Sequence, residues 1–313
     1  MQTLRTPDAR FAGLVDFPYP PHYAETSDGL RVGYVDEGPS DAPVVLLLHG
    51  EPSWSYLYRH MIPVFLEAGL RVIAPDLVGF GRSDKPTEVA DYTYDRHVEW
   101  MRSVLFDTLD LRGLTLVCQD WGGLIGLRLL AEHAERFTRV CAANTGLPDG
   151  TRRLPPAWWR FRDFVMGAEE LPVGLLVRNG CADGLTDAEM AAYDAPFPHA
   201  SYQAGARAFP DLIPQTPEHP ATLGNQAAWR VLERLDNPFL CAFSDLDPIT
   251  SGGERMLIHK IPGAAGQPHT TIRGAGHFLQ EDRGPDWAAV ILDWINRPFT
   301  PSLGTPKVAT ASD

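Results

Sequence analysis

The segment Val117-Cys118-Gln119-Asp120-Trp121-Gly122-Gly123 decides the fold of this chain. It joins a short apolar run, typical of a buried strand, to a stretch rich in leucine and isoleucine that predicts a buried helix. The N-terminus of a helix stabilises a carboxylate such as Asp120 through the helix dipole. Asp120 could therefore cap the helix, or it could be a nucleophile held at a tight turn. Residues elsewhere in the chain distinguish the two.

Short apolar runs alternate with longer helix-like stretches, which indicates an α/β class with a mostly parallel sheet. The predicted strands cover residues 44–48, 70–76, 115–118, 139–143, 239–243 and 270–272. Residues 148–226 differ, because prolines and aromatic residues are frequent there and no strand-like run occurs. We predict an α/β core formed by residues 1–147 and 227–313, with an inserted helical cap at 148–226. The tail after Pro298 is predicted to be loosely held.

The partners of a nucleophile follow the turn in the expected order. A strand, a turn with small residues and a helix resemble the nucleophile elbow of α/β hydrolases, with Asp120 where serine usually stands. In that fold the acid and the histidine come later in the chain. Asp247, which follows a predicted strand, is the candidate acid, and Asp245 is the alternative. His277, between Gly276 and Phe278, is the candidate base.

The loop His49-Gly50-Glu51-Pro52 follows the first long predicted strand. In α/β hydrolases this loop donates a backbone N–H to the oxyanion hole. We expect the N–H groups of Glu51 and Trp121 to form that hole. His49 is predicted to be a structural hydrogen-bonding residue.

Composition excludes several classes of function. The net charge is −13 and the basic residues form no cluster, which argues against nucleic acid or an anionic membrane as partner. No run reaches the ~18 apolar residues that span a bilayer, and no signal peptide is visible, so we expect a cytoplasmic protein. Four widely spaced cysteines support neither a disulfide framework nor a metal site. We predict no metal ion and a monomer or weak oligomer.

An aspartate nucleophile favours attack on saturated carbon over acyl transfer, because the carboxylate displaces a leaving group and forms an alkyl ester. Histidine then activates water to hydrolyse that ester. A halide leaving group requires N–H donors in a dry pocket, and the indole of Trp121 can supply one.

Three stretches resemble haloalkane dehalogenases: residues 49–59, residues 79–86 and Gln119-Asp120-Trp121-Gly122-Gly123. They resemble in particular the subfamily whose catalytic acid follows the cap, as Asp247 does. The resemblance covers residues 4 to 295. It implies the α/β-hydrolase fold, hydrolytic dehalogenation of haloalkanes to a primary alcohol and halide, and no cofactor. The aromatic residues of the predicted cap indicate small or medium apolar haloalkanes as substrates.

The resemblance also implies that two tryptophans hold the halide. Trp121 matches the first. For the second, one alignment of the cap favours Trp159 and another places Phe161 there, and Trp158 is a third candidate. We predict Trp159.

Two other functions remain open at this point. An epoxide hydrolase would use the same Asp120, His277 and Asp247, but it would need cap tyrosines near Asp120, for which Tyr193 and Tyr202 are available. A ligand-binding module of the same fold would not need the nucleophile.

Overall fold

A computed structural model describes residues 1–297 of the chain. The predicted loosely held tail after Pro298 lies outside the described residues. Ten strands occur in chain order: β1 (Thr3–Leu4), β2 (His22–Glu25), β3 (Arg31–Glu37), β4 (Val44–Leu48), β5 (Arg71–Pro75), β6 (Lys85–Pro86), β7 (Leu114–Gln119), β8 (Phe137–Ala143), β9 (Phe239–Ser244) and β10 (Thr270–Ile272). The helices are α1 (Ile62–Glu67), α2 (Tyr94–Arg102), α3 (Trp121–Glu132), α4 (Pro156–Gly167), α5 (Val173–Gly180), α6 (Asp187–Asp194), α7 (Ala204–Leu212), α8 (Thr222–Leu232), α9 (Gly253–Lys260) and α10 (Leu279–Ile295).

Eight of these strands form one sheet in the order β10-β9-β8-β7-β4-β5-β3-β2. Neighbours from β10 to β5 run parallel, whereas β3 pairs antiparallel with both β5 and β2. The central strands β4 and β7 are buried along their whole length, as strands covered by helices on both faces must be. The predicted α/β-hydrolase fold with a mostly parallel sheet is confirmed.

Carboxyl ends of parallel strands meet at one edge of the sheet, where ligands bind in open α/β folds. Strand β7 ends at Gln119, directly before Asp120, and β4 ends at Leu48, directly before the Glu51 loop. Strand β9 ends at Ser244, three residues before Asp247. The sheet thus brings together residues that are far apart in the sequence.

The segment between β8 and β9 contains the helices α4 to α8 and no strand among its residues, all of which are described. Within it α4 packs against α7 and α5 packs against α6, whereas α8 packs against α3 of the core. The predicted boundary between residues 226 and 227 therefore falls inside α8. The division into core and cap domains stays a prediction.

One buried arginine joins this helical segment to the core. The Arg59 guanidinium donates to Glu281 Oε2 at 2.8 Å, on α10, and to Glu189 Oε1 at 2.8 Å, on α6. The hydroxyl of Tyr193 also donates to Glu281. His60 lies beside both carboxylates, but these are already paired with a cation. The contacts among Arg59, Glu189, Tyr193 and Glu281 therefore link α6 to α10.

Candidate active site

Asp120 lies at the strand-to-helix turn in a strained backbone conformation, with φ of 51° and ψ of −126°. Such positive φ angles are uncommon for residues other than glycine and concentrate at functional sites. The turn leaves no room for a larger residue after it, because a Cβ on Gly122 would lie 1.9 Å from the carbonyl oxygen of Leu48. The glycine allows α3 to approach β4 closely enough to hold the turn.

The Asp120 carboxylate does not cap α3. It makes no hydrogen bond to the N–H groups of that helix. Instead Oδ1 accepts the backbone N–H of Glu51 at 2.8 Å, and Oδ2 lies 3.5 Å from Nε2 of His277. A side chain placed in this way is available to react, and the alternative reading as a simple helix cap is not supported.

His277 and Asp247 form the second contact of the site. Nδ1 of His277 lies 3.0 Å from Oδ2 of Asp247, and both residues are buried. Burial raises the pKa of Asp247, but His277 and hydrogen bonds from the Ile249 N–H and from Thr250 outweigh it and lower that pKa to about 2. Asp247 is therefore an anion at neutral pH and fixes a proton on Nδ1 of the imidazole.

Burial lowers the pKa of His277, but the charges of Asp247 and Asp120 outweigh this effect and raise it. The side-chain amide nitrogen of Gln119 lies 3.1 Å from Nε2 of His277 and also donates to the His277 carbonyl. This amide N–H donor favours a lone pair on Nε2, the form that a general base requires, and so opposes the effect of the two carboxylates, which favour a proton there.

Asp245, the alternative acid, does not contact the imidazole. Its Oδ1 accepts the N–H of Gly274 at 2.7 Å, and the residue is exposed. It orders the loop that precedes His277.

Asn144 contributes to the site although the sequence analysis assigned it no role. Its backbone has a positive φ of 41°, which Asn tolerates better than most residues. Its carbonyl accepts the Asp120 N–H at 3.0 Å, and its side-chain amide donates to the His277 carbonyl at 3.0 Å. Asn144 thus connects the nucleophile turn to the histidine loop. Its place directly after a parallel strand was the signal that could have identified it.

Glu51 contributes a carboxyl group as well as its N–H. The residue is buried, and its Oε1 has no hydrogen-bond partner within residues 1–297. Burial, and then the charge of Asp120, raise the pKa of Glu51 well above its usual value. A neutral Glu51 places no second negative charge beside the nucleophile. His49, in the same loop, accepts the Leu77 N–H on Nε2 at 2.9 Å, in keeping with a structural role.

A cavity of about 360 Å³ opens beside the Asp120 carboxylate. Glu51, Trp121 and His277 border it, together with Trp158 and Phe161 of α4. The indole Nε1 of Trp121 is buried and has no hydrogen-bond partner in the described residues. A buried N–H donor without an acceptor is costly, so this atom indicates an acceptor supplied by a ligand.

Trp159 does not border this cavity. Its side chain is 39% exposed and borders a separate surface hollow formed by 153–156 and Arg160. Successive helix residues point about 100° apart, and the adjacent Trp158 is buried and borders the cavity. The structure thus brings Trp121 to the nucleophile but does not bring the predicted Trp159 there.

The tyrosines that an epoxide hydrolase would need are also absent from the cavity wall. Tyr193 is fully buried and donates to Glu281, and Tyr202 packs against His199 with ring centres 4.8 Å apart. No tyrosine of the described chain borders the cavity beside Asp120.

Comparison with known proteins agrees with this geometry. The sequence profile of the alpha/beta hydrolase fold family matches residues 43–175. The chain is 54% identical over 300 residues to the haloalkane dehalogenase of Psychrobacter cryohalolentis, covering 95% of this chain and 99% of that protein. The chain belongs to the haloalkane dehalogenase family. Haloalkane dehalogenase 1 of Mycobacterium tuberculosis is 53% identical over 298 residues, or 94% of this chain and 99% of that one.

A solved structure extends this likeness to the three-dimensional fold. The tetrameric haloalkane dehalogenase DpaA from Paraglaciecola agarilytica NO2 superposes with a TM-score of 0.86 at 36% identity, covering 96% of this chain and 99% of that one. The prediction of a haloalkane dehalogenase, a hydrolase acting on carbon–halogen bonds, is confirmed by these relatives, and they do not favour an epoxide hydrolase. Within residues 1–297, no helix could cross a membrane.

Proposed function

We propose that this enzyme hydrolyses small apolar haloalkanes through a covalent alkyl ester on Asp120. The observation that carries the proposal is the position of the Asp120 carboxylate between the Glu51 N–H and His277, with no hydrogen bond to the N–H groups of α3. The same cavity is bordered by Trp121, whose buried indole N–H has no partner within residues 1–297. A carboxylate oxygen displaces halide from saturated carbon, so that a C–O bond forms as the carbon–halogen bond breaks.

The second step regenerates the enzyme. Nε2 of His277 takes one proton from water as the water oxygen attacks the Asp120 carboxyl carbon. The second proton of that water passes to the departing alkoxide as the ester bond breaks, so that the alcohol leaves and Asp120 is again a carboxylate. His277 then releases its proton to solvent. The N–H of Glu51 already points at the carboxylate, and the N–H of Trp121 is at the start of α3, where helix N–H groups have no intrahelical acceptor. We assign these two N–H groups to the oxyanion.

We assign the halide to the indoles of Trp121 and Trp158. Trp158 takes the place of Trp159 in this proposal, because Trp158 is buried and borders the cavity whereas Trp159 faces outward. The wall of the cavity that holds these indoles also includes apolar side chains, among them Phe161 and Ile213. A dry wall strengthens the attraction between an N–H dipole and an anion. The cytoplasmic location and the monomeric or weakly oligomeric state stay predictions.

The proposal is tested by incubating the protein with 1-bromobutane and measuring bromide and 1-butanol together. We expect equal amounts of both, no turnover by Asp120→Asn, and an ester on Asp120 that accumulates in His277→Ala. Turnover of 1,2-epoxybutane without bromide release from 1-bromobutane, or full activity of Asp120→Asn, would contradict it.

A further inference from the structure

A second cavity also reaches Asp120. It has a volume of about 330 Å³ and lies between the start of α3, the segment 145–155 that leads into the cap, and the loop 249–256. Trp158 and Ile249 border both cavities and therefore stand between them. The mechanism proposed above uses only the first cavity, which holds Glu51, Trp121 and His277.

The two cavities differ in charge. Arg152 and Arg153 border the second cavity, and both are exposed. Within the described residues neither guanidinium makes an ion pair or a side-chain hydrogen bond. Apart from Asp120, the second cavity has one acidic residue, Asp149, whose Oδ1 accepts the N–H and hydroxyl of Thr151. The first cavity is bordered by no lysine or arginine.

This local positive charge stands out against the charge of the whole chain, which is −13. An anionic group in the first cavity would lie beside Asp120 and the departing halide, with no lysine or arginine of the described residues nearby. In the second cavity the same group would meet two guanidinium groups, each able to hold a carboxylate by paired hydrogen bonds.

We propose that the second cavity binds the end of the substrate distant from the halogen, and that Arg152 and Arg153 favour chains ending in a carboxylate. The ω-haloalkanoates are then a second class of substrate, in addition to the small apolar haloalkanes. This inference rests on the proposed function. The chemistry at the halogen is unchanged: Asp120 displaces the halide, and water releases an ω-hydroxyalkanoate, one proton and the enzyme, while the distant carboxylate is not altered.

The first test compares kcat/KM for 6-bromohexanoate with that for 6-bromohexanamide, which has the same length and no charge. At low ionic strength we expect the acid to be favoured about ten-fold, as two exposed ion contacts together allow. Sodium sulfate at roughly 0.5 M, where charges are screened within a few Å, should bring the ratio close to one.

The double variant Arg152→Gln/Arg153→Gln should lose the preference for the acid while retaining the activity with 1-bromohexane. Arg160→Gln is the matched control, because Arg160 is exposed on α4 and does not border the second cavity. A wild-type ratio near one, or an unchanged ratio in the double variant, would overturn the inference. Absence of any 1-bromohexane hydrolysis would instead contradict the proposed function.

A second variant tests the use of the cavity itself. A Cβ added to Gly146, which borders the second cavity, would meet no atom within 4 Å. We expect Gly146→Leu to fill part of the cavity and to lower kcat/KM for 6-bromohexanoate by about ten-fold or more, with bromoethane unaffected. Equal activity of this variant on both substrates, relative to wild type, would show that the distant end lies elsewhere.

Discussion

Replacement of Trp121 by phenylalanine isolates the contribution of one indole N–H to halide binding. The Trp121 ring stacks on Phe209 with ring centres 4.3 Å apart and lies 5.1 Å from Tyr94, and phenylalanine preserves part of this packing. The Nε1 atom has no protein partner among the described residues, so its loss breaks no hydrogen bond in the fold. The effect of Trp121→Phe should therefore fall on the halide.

A hydrogen bond to a charged group contributes about 1.5–3 kcal/mol, and each 1.4 kcal/mol is a factor of ten in affinity. We expect bromide to bind Trp121→Phe about 10- to 150-fold more weakly, measured by isothermal titration calorimetry. Trp158→Phe should weaken binding in the same direction. Trp159→Phe is the matched control on the same helix, and its bromide affinity should stay within about two-fold of wild type, because an exposed side chain rarely contributes much.

Unchanged bromide affinity in Trp121→Phe would refute the assignment of its indole to the halide. A large loss in Trp159→Phe without one in Trp158→Phe would restore the assignment predicted from the sequence and would mean that α4 is rotated when halide is bound.

Three further predictions concern the base, the turn and the link to the cap. Esterification of Asp120 removes one of the two charges that raise the pKa of His277. In single-turnover experiments the rate of ester hydrolysis should therefore increase with pH as the imidazole loses its proton. Asp247→Asn should move the midpoint of this pH dependence to lower pH and reduce the rate at its plateau. Gly122→Ala should lower the free energy of unfolding by about 3 kcal/mol or more, because the added Cβ would collide with backbone. Gly126→Ala is the control: the nearest neighbour of its Cβ would be the end of a leucine side chain at 3.0 Å, so it should lower the free energy of unfolding by less than about 1 kcal/mol. Both are measured by urea denaturation. Arg59→Met should cost about 3–5 kcal/mol in the same assay, because it leaves a buried carboxylate without its cation; a loss below about 1 kcal/mol would mean that the link is dispensable.

The fold could be predicted because its central strands are short, continuous apolar runs, which are typical of strands buried in a parallel sheet. The central strand β4 covers Val44–Leu48 as predicted, and the edge strand β10 also covers the predicted Thr270–Ile272. The antiparallel strands β2 and β3 were missed, since their residues form neither a continuous apolar run nor a regular polar/apolar alternation, and charged residues stand at their ends. The sequence also did not show that α8 continues across the predicted boundary of the cap. An amphipathic helix has the same apolar pattern whether it packs against the cap or against the core.

Sequence order and strand ends led to Asp120, Asp247 and His277, because the fold dictates where such residues fall along the chain, and the structure brings these three side chains together. No comparable rule of chain order indicates which residues of the predicted cap face the cavity. Trp158 and Trp159 are adjacent in sequence, and only the rotation of α4 distinguishes the buried ring from the exposed one. Asn144 was overlooked for a related reason, since its role depends on contacts with residues far apart in the sequence. Its carbonyl accepts from Asp120, and its side-chain amide donates to Ser244 and to His277.

The central claim is that Asp120 forms a covalent ester with the substrate, and a single turnover in H₂¹⁸O tests it most directly. With enzyme in excess over 1-bromobutane, the account predicts that ¹⁸O enters the Asp120 carboxylate, detected by mass spectrometry of the peptide that contains it, while the butanol formed carries ordinary oxygen. Butanol labelled with ¹⁸O in that first turnover, together with an unlabelled Asp120, would mean that water attacks the substrate directly and would contradict the account.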